Sequence, residues 1–475
     1  MQTMDDELHS YVAGEKVSSS DFTDVLDPYR NERVGRVFHA SRDHIQTALQ
    51  TACDYQCELS RYERSEILNK ARLEIEKRRD EFARRITAEA GLCLFEGRYE
   101  VGRALDVLRF ASMEVLKDDG TVFSCDVSPG GKQRKIVTTR DPVNCAVAIT
   151  PFNHPLNQVA HKLAPAIAAG APMILKPSEK TPLSAIRLAE VLYQAGLPGP
   201  MLSVVLGPTS EVAKPLIEDE RVEVVAFTGS VRVGKLVASQ GGYKRKILEL
   251  GGNDPLIILH DADLDLAVKL AAEGCYRNSG QRCTAVKRLL VDRRVVDEFT
   301  KRLIERTRNY PCGDPLAEET RVGTVIDEPA AIGLEAVLKE AVEAGARIRC
   351  GGQRTGALFQ PTVVDQVPRG CRMVMEESFG PLAPIIEVEG LEDAIDLANG
   401  TAYGLSSGVV TDSLSAATEA VKRLRMGTVN INEVPGFRIE SSPFGGIKDS
   451  GLGIKEGVIE AIKGYSHVKT FSMPW

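Results

Sequence analysis

Residues 144–196 read "NCAVAITPFNHPLNQVAHKLAPAIAAGAPMILKPSEKTPLSAIRLAEVLYQAG". Two short apolar runs, "NCAVAI" and "PMILK", are separated and followed by longer stretches, of which "TPLSAIRLAEVLYQAG" has apolar residues at helical spacing. The same alternation continues through "LSVVL", "VEVVAF" and "KRKILEL". Short apolar strands alternating with helices predict an α/β fold built on a doubly wound parallel sheet, which binds ligands at the carboxyl ends of its strands.

Upstream, the first 120 residues read as a short extended lead-in followed by long helices. "SRDHIQTALQTA" starts at Ser41 as an N-cap, and "ERSEILNKARLEIEKRRDEFARRITAEAG" ends at Gly91. "DDGTVFSCDVSPGGKQRKIVTTRD" predicts a β-hairpin with Pro129, Gly130 and Gly131 at its turn. Downstream of Gly251 and Gly252, a second set of strands and helices runs from "DPLIILH" to about "MGTVNIN", and "EGVIEAIKGYSHVKTFSMPW" closes the chain as a helix and a strand. The expected units are therefore 1–119 with 141–250, then 251–435, and a small β element from 120–140 and 455–475 whose exposed edges suit a partner subunit.

With 475 residues the chain needs more than one lobe, and 43% hydrophobic with 26% charged residues excludes disordered and membrane classes. The longest nearly apolar stretch, Leu163 to Leu175, is too short to span a bilayer. A net charge of -7 with interspersed signs argues against nucleic acid as a partner. The acidic start "MQTMDDELHS" has no targeting character. Ten scattered cysteines form no C-x-x-C pair, so neither a zinc site nor a disulfide framework is expected, and reduced thiols in a cytoplasm are the default.

Several strand ends carry chemistry. "FTGSVRVGK" lacks the G-x-G-x-x-G spacing and by itself reads as a tight strand-to-helix turn. In "LKPSEKTP", Lys176 and Glu179 can hold ribose hydroxyls, although a solvated charged loop would look the same. "TPFNHPLN" presents the Asn153 amide, able to donate to a developing oxyanion, or simply an Asn turn before Pro155. Glu249 in "LELGGNDPL" is either a water-activating carboxylate or an exposed strand terminus. "NSGQRCTAVKR" places Arg282 directly before Cys283, a thiol beside a group suited to an anion.

Taken in order with "EESFGP" and "PFGGIKDSG", these motifs make the sequence resemble the NAD(P)-dependent aldehyde dehydrogenase superfamily over nearly the whole chain. The resemblance implies a Rossmann-type cofactor domain, an α/β catalytic domain and a small β oligomerisation element, in a homodimer or homotetramer. It implies that Cys283 attacks the aldehyde to give a thiohemiacetal and then, after hydride transfer, a thioester. By the same resemblance, Asn153 and the Cys283 N–H are expected to form the oxyanion hole and Glu249 to activate the hydrolytic water. Lys176 and Glu179 are expected to bind the adenosine ribose, Glu377 the nicotinamide ribose, and Phe379 to pack near the nicotinamide. Thr150, Pro151, Phe152, Ser178, Phe227, Thr228, Gly229, Ser230, Val233, Leu250 and Gly251 are the further cofactor-binding positions that the resemblance implies. NAD is expected over NADP, because the Glu179 carboxylate repels a 2'-phosphate. No metal is implied. Relatives that pass the acyl group to coenzyme A generally lack the Glu249 base, so a free acid is the expected product.

The Arg282–Cys283 pair occurs in a branch with lactaldehyde, non-phosphorylating glyceraldehyde-3-phosphate and phosphonoacetaldehyde dehydrogenases. "PFNHPLNQVAHK" and "EVGRALDVLRF" are most similar to the phosphonoacetaldehyde branch, in which the positions of Arg103, His154 and Arg282 hold the phosphonate. Thr284, Arg438 and Ser442 are further candidate walls, and Arg438 is expected to form a structural ion pair with Glu440 rather than to meet the anion. The expected reaction is oxidation of phosphonoacetaldehyde to phosphonoacetate. Lactaldehyde or glyceraldehyde-3-phosphate oxidation, and a catalytically silent NAD-binding protein, are the alternatives.

Overall fold

The computed structural model describes residues 6–475; Met1 to Asp5 of the acidic N-terminal stretch lie outside the described residues. Strand Ala146–Ile149 lies inside a seven-stranded sheet, third from one edge. On one side it pairs in parallel with Val224–Thr228 and then Arg245–Glu249. On the other it pairs in parallel with Met173–Lys176 and then Leu202–Val204. The chain thus winds outward in one direction, crosses over, and winds outward in the other. The reversal leaves a crevice between the carboxyl ends of Ala146–Ile149 and Val224–Thr228, where such sheets take their ligands.

Both faces of this sheet are covered, and the strand shows why. Ala146 and Ala148 join one hydrophobic core, while Val147 and Ile149 join another on the opposite face. Side chains alternate along a strand, so a run that is apolar throughout is stable only when helices bury both faces. A second seven-stranded sheet repeats the device, with Leu256 and Ile258 in one core and Ile257 in another. Its strands include Asp254–Ile258, Val286–Asp292, Ser406–Val410 and Thr428–Ile431.

Two expectations change. The lead-in is not merely extended: Ser10–Val12 and Glu15–Val17 add two antiparallel strands to the edge of the first sheet. The long helical stretch is two helices, Arg61–Lys77 and Arg79–Ala90, broken at Arg78 (φ -103, ψ 21). Ser60 and Glu63 cap the first reciprocally, and Gly91, at φ 70, ends the second. Ser41 caps Arg42–Asp54 as expected. The hairpin and the chain end form one three-stranded antiparallel sheet, in which Arg134–Pro142 pairs with both Val122–Ser124 and Ser466–Pro474. Among the described residues, no helix is long and apolar enough to cross a membrane.

Candidate active site

Cys283 lies between helix Leu264–Tyr276 and strand Val286–Asp292. The approach is strained: Asn278, Ser279 and Gly280 are all left-handed, with φ of 57, 53 and 70. A Cβ at Gly280 would strike the Gly380 backbone, so glycine is the residue that fits. Asn278 donates to the Asn153 carbonyl at 3.0 Å, and the Asn153 amide donates to the Gln281 carbonyl at 2.7 Å. An amide nitrogen carries two protons, which leaves Asn153 one for a substrate oxygen. Among the described residues the Cys283 N–H donates to no protein group. Lys287 holds the loop from beneath, bonding the carbonyls of Arg282 and Cys283 at 2.8 and 2.9 Å.

Burial pushes the Cys283 thiol up to about 11, against the opposing charges of Lys287 and Arg438. Glu249 ends strand Arg245–Glu249, and neither of its carboxylate oxygens has a hydrogen-bond partner. Burial, and then the nearby Glu456 carboxylate, hold it well above the usual carboxylate range, with Lys162 and Arg438 opposing. One oxygen lies 2.6 Å from where a Gly445 Cβ would sit, so that glycine makes room for the side chain.

The crevice of the first sheet fits a dinucleotide. Thr150 and Thr228, at the ends of the two strands that flank it, each keep a buried hydroxyl without a partner. Ser230 caps helix Val231–Gln240 by accepting from Val233, and Gly234 lets that helix close onto Leu250, where a Cβ would collide. Gly229 has the Phe227 ring against it. Lys176 donates to Thr209 Oγ1 at 2.6 Å, and burial brings its ammonium down to about 8. Glu179 accepts from Thr209 N at 2.6 Å and lies 3.8 Å from Lys176, while Ser178 closes its own turn with Lys180 N. Glu377 accepts from Gly252 N at 3.2 Å and lies 3.2 Å from Lys287, against Gly251. The Phe379 ring, at φ 52, meets Phe152 edge-on at 5.8 Å, next to Pro151.

The expected anion ligands divide. Arg282 gives one guanidinium nitrogen to the carbonyls of Glu273 and Gly274, and its buried Nε has no partner. His154 is buried, with Nδ1 3.3 Å from Glu100 and no bond at Nε2 among the described residues. Arg103 is already engaged, with Nε and Nη2 at 2.5 and 3.3 Å from the Glu440 carboxylate. His161 also bonds Glu440, at 2.5 Å. The ion pair expected between Arg438 and Glu440 is not formed. With its carboxylate already occupied, Glu440 leaves the Arg438 guanidinium stacked 3.7 Å over the Phe444 ring, with no hydrogen bond or ion pair among the described residues. Thr284 packs against Gly436, and the Ser442 hydroxyl closes a turn onto the Ile439 carbonyl.

Sequence reading did not single out Asn278, Gln281, Lys287, Thr209 or Glu100. A cue existed for Lys287 in "VKRLLVD", where two cations interrupt an apolar strand. Both are buried, and neighbouring Arg288 bonds the carbonyls of Asn253, Leu397 and Ala398.

The Aldehyde dehydrogenase family model matches residues 15–471. The 3-sulfolactaldehyde dehydrogenase of Priestia aryabhattai is 37% identical over 454 residues, covering 95% of each chain. The crystal structure of aldehyde dehydrogenase 21 from Physcomitrella patens, in complex with the reaction product succinate, superposes with a TM-score of 0.96. It is 33% identical and covers 99% of this chain and 98% of that one. The NADP-dependent glyceraldehyde-3-phosphate dehydrogenase from Bacillus halodurans, complexed with NADP, also gives 0.96, at 31% identity and 98% and 99% coverage. With a sheet crevice shaped for a dinucleotide beside a buried thiol, and a match along nearly its whole length, the chain belongs to the aldehyde dehydrogenase family, an oxidoreductase acting on small aldehydes with NAD or NADP.

Proposed function

We propose that the protein oxidises a small aldehyde bearing a distal anion, with phosphonoacetaldehyde as the reference substrate, to the free acid, using NAD and water. The observation that carries this reading is the unpartnered Arg438 guanidinium, whose charge acts on both Cys283 and Glu249. A fixed cation with unused donors near the reacting thiol suits a phosphonate, sulfonate or carboxylate. Arg438 also lines a cavity of about 510 Å³ with five arginines against three carboxylates, a field that draws anions inward. A relative named for a sulfonated aldehyde and a solved structure holding succinate agree with such a substrate.

In this reading the Cys283 sulfur adds to the carbonyl carbon while Asn153 and the Cys283 N–H hold the oxygen. NAD, when bound in the crevice, would supply the hydride acceptor for the oxidation. Glu249 then takes a proton from water, which displaces the Cys283 sulfur and releases the acid. Lys176, Glu179, Glu377 and the strand-end residues around Thr150 and Thr228 would hold the cofactor. The Glu179 carboxylate beside Lys176 would repel a 2'-phosphate, which supports NAD over NADP. The three-stranded sheet at the chain end is assigned to subunit contact.

The test is initial-rate formation of reduced cofactor from phosphonoacetaldehyde, sulfoacetaldehyde, succinate semialdehyde, lactaldehyde and propanal. The anionic aldehydes are expected to lead propanal by roughly a hundredfold in kcat/KM, about 3 kcal/mol. Propanal keeping pace would overturn the anionic assignment.

A further inference from the structure

Helix Leu94–Glu114 carries Glu96, Glu100 and Arg103, spaced four and three apart and hence on one face. Each grips a different part of the candidate site. Glu96 forms two bonds to Arg277, at 2.8 and 3.0 Å, just before the left-handed turn that leads to Cys283. Arg103 holds Glu440. Glu100, 1% exposed, reaches the loop of Asn153 and His154. One of its oxygens accepts from Leu156 N at 2.8 Å and Asn157 N at 3.0 Å, and the other lies 3.3 Å from His154 Nδ1.

Helix Asn157–Ala169 has no side-chain cap of its own, so Glu100 supplies the acceptor its first N–H groups need. A carboxylate can only accept here, which assigns the Nδ1 proton to His154 and turns Nε2 away from Glu100. We propose that Glu100 is a positioning residue: it fixes the loop that presents the Asn153 amide and sets the ring orientation of His154 towards the distal anion. The His154 part rests on the anionic-substrate reading; the Asn153 part does not.

Glu100→Gln keeps an oxygen for the helix N-terminus but loses the carboxylate at His154. The expected result is a roughly tenfold higher KM for phosphonoacetaldehyde, kcat within about twofold, and an unchanged KM for propanal. Glu100→Ala also loses the cap, and kcat is expected to fall by at least about tenfold on both substrates. Combining Glu100→Gln with His154→Ala should cost no more in KM than His154→Ala alone. Glu89 caps helix Leu183–Gln194 with both of its oxygens, one accepting from Leu183 N and the other from Ser184 N and the Ser184 hydroxyl, without touching the candidate site. Glu89→Gln, which loses part of a cap away from the site, is the control and should retain kcat and KM. Equal KM losses on both aldehydes in Glu100→Gln, or full additivity with His154→Ala, would overturn the His154 role. Unchanged kcat in a folded Glu100→Ala would overturn the Asn153 role. If the wild-type enzyme does not prefer phosphonoacetaldehyde, the substrate reading fails, and kcat of Glu100→Ala on propanal alone decides the positioning role.

Discussion

Cys283 and Glu249 are both pushed towards their protonated forms by burial, although each must lose its proton to act. Alkylation of the cofactor-free enzyme by iodoacetamide should therefore accelerate about tenfold per unit between roughly pH 7 and 9, without a plateau. A plateau near neutrality would mean that the thiol is already ionised there. Arg438 lowers both groups, so Arg438→Gln should slow alkylation at fixed pH and raise KM for the anionic aldehyde more than for propanal. Equal KM changes would place Arg438 with the thiol alone. At the proposed cofactor site, Glu179→Gln removes the charge expected to oppose a 2'-phosphate. Its NADP to NAD ratio of kcat/KM should rise by tenfold or so, and steady-state rates with each cofactor read this directly.

Among the elements, the turn Arg277–Gly280 tolerates little change, because three successive left-handed residues end at Gly280, which lies directly against the Gly380 backbone. Gly280→Ala meets both an unfavourable φ and a backbone collision, a cost of at least about 2 kcal/mol, so a several-degree drop in Tm with loss of turnover is expected. Ser60→Ala instead removes one half of a capping box on a helix away from the site. It should cost about 1 kcal/mol in urea denaturation and leave kcat alone. The contrast separates a turn that shapes chemistry from a cap that only stabilises a helix.

For the whole molecule, the sheet of Val122–Ser124, Arg134–Pro142 and Ser466–Pro474 leaves Phe123, Val468, Phe471 and Met473 exposed. Strand alternation and the register place Phe123 and Val468 on one face and Phe471 and Met473 on the other, and exposed apolar side chains on both faces suit another copy of the chain. Introducing Val468→Glu with Phe471→Glu should therefore convert an oligomer to a monomer by light scattering, with circular dichroism unchanged. An oligomer that survives both charges would remove this sheet from the interface. The two large sheets draw on separate stretches of chain, but residues 436–456 return to the first. Leu250 N bonds Ser450 O, and Glu440 meets both Arg103 and His161.

The α/β alternation was legible because strand period, turn residues and capping act between neighbours in sequence, and the order of motifs carried the family resemblance, from which alone the roles proposed for Asn153, Glu249 and Cys283 follow. Local pattern also placed Ser41 and Gly91 at helix ends, but it read two helices as one, because the break at Arg78 involves neither glycine nor proline. Which partner each charge takes was decided only by the tertiary structure. Arg103 meets Glu440 across 337 positions, leaving Arg438 free, and Glu100 caps a helix more than fifty residues away. Nothing local encodes those pairings. They arise because packing brings several charges into one poorly solvated space, where each buried carboxylate must take whichever donor the fold places within reach.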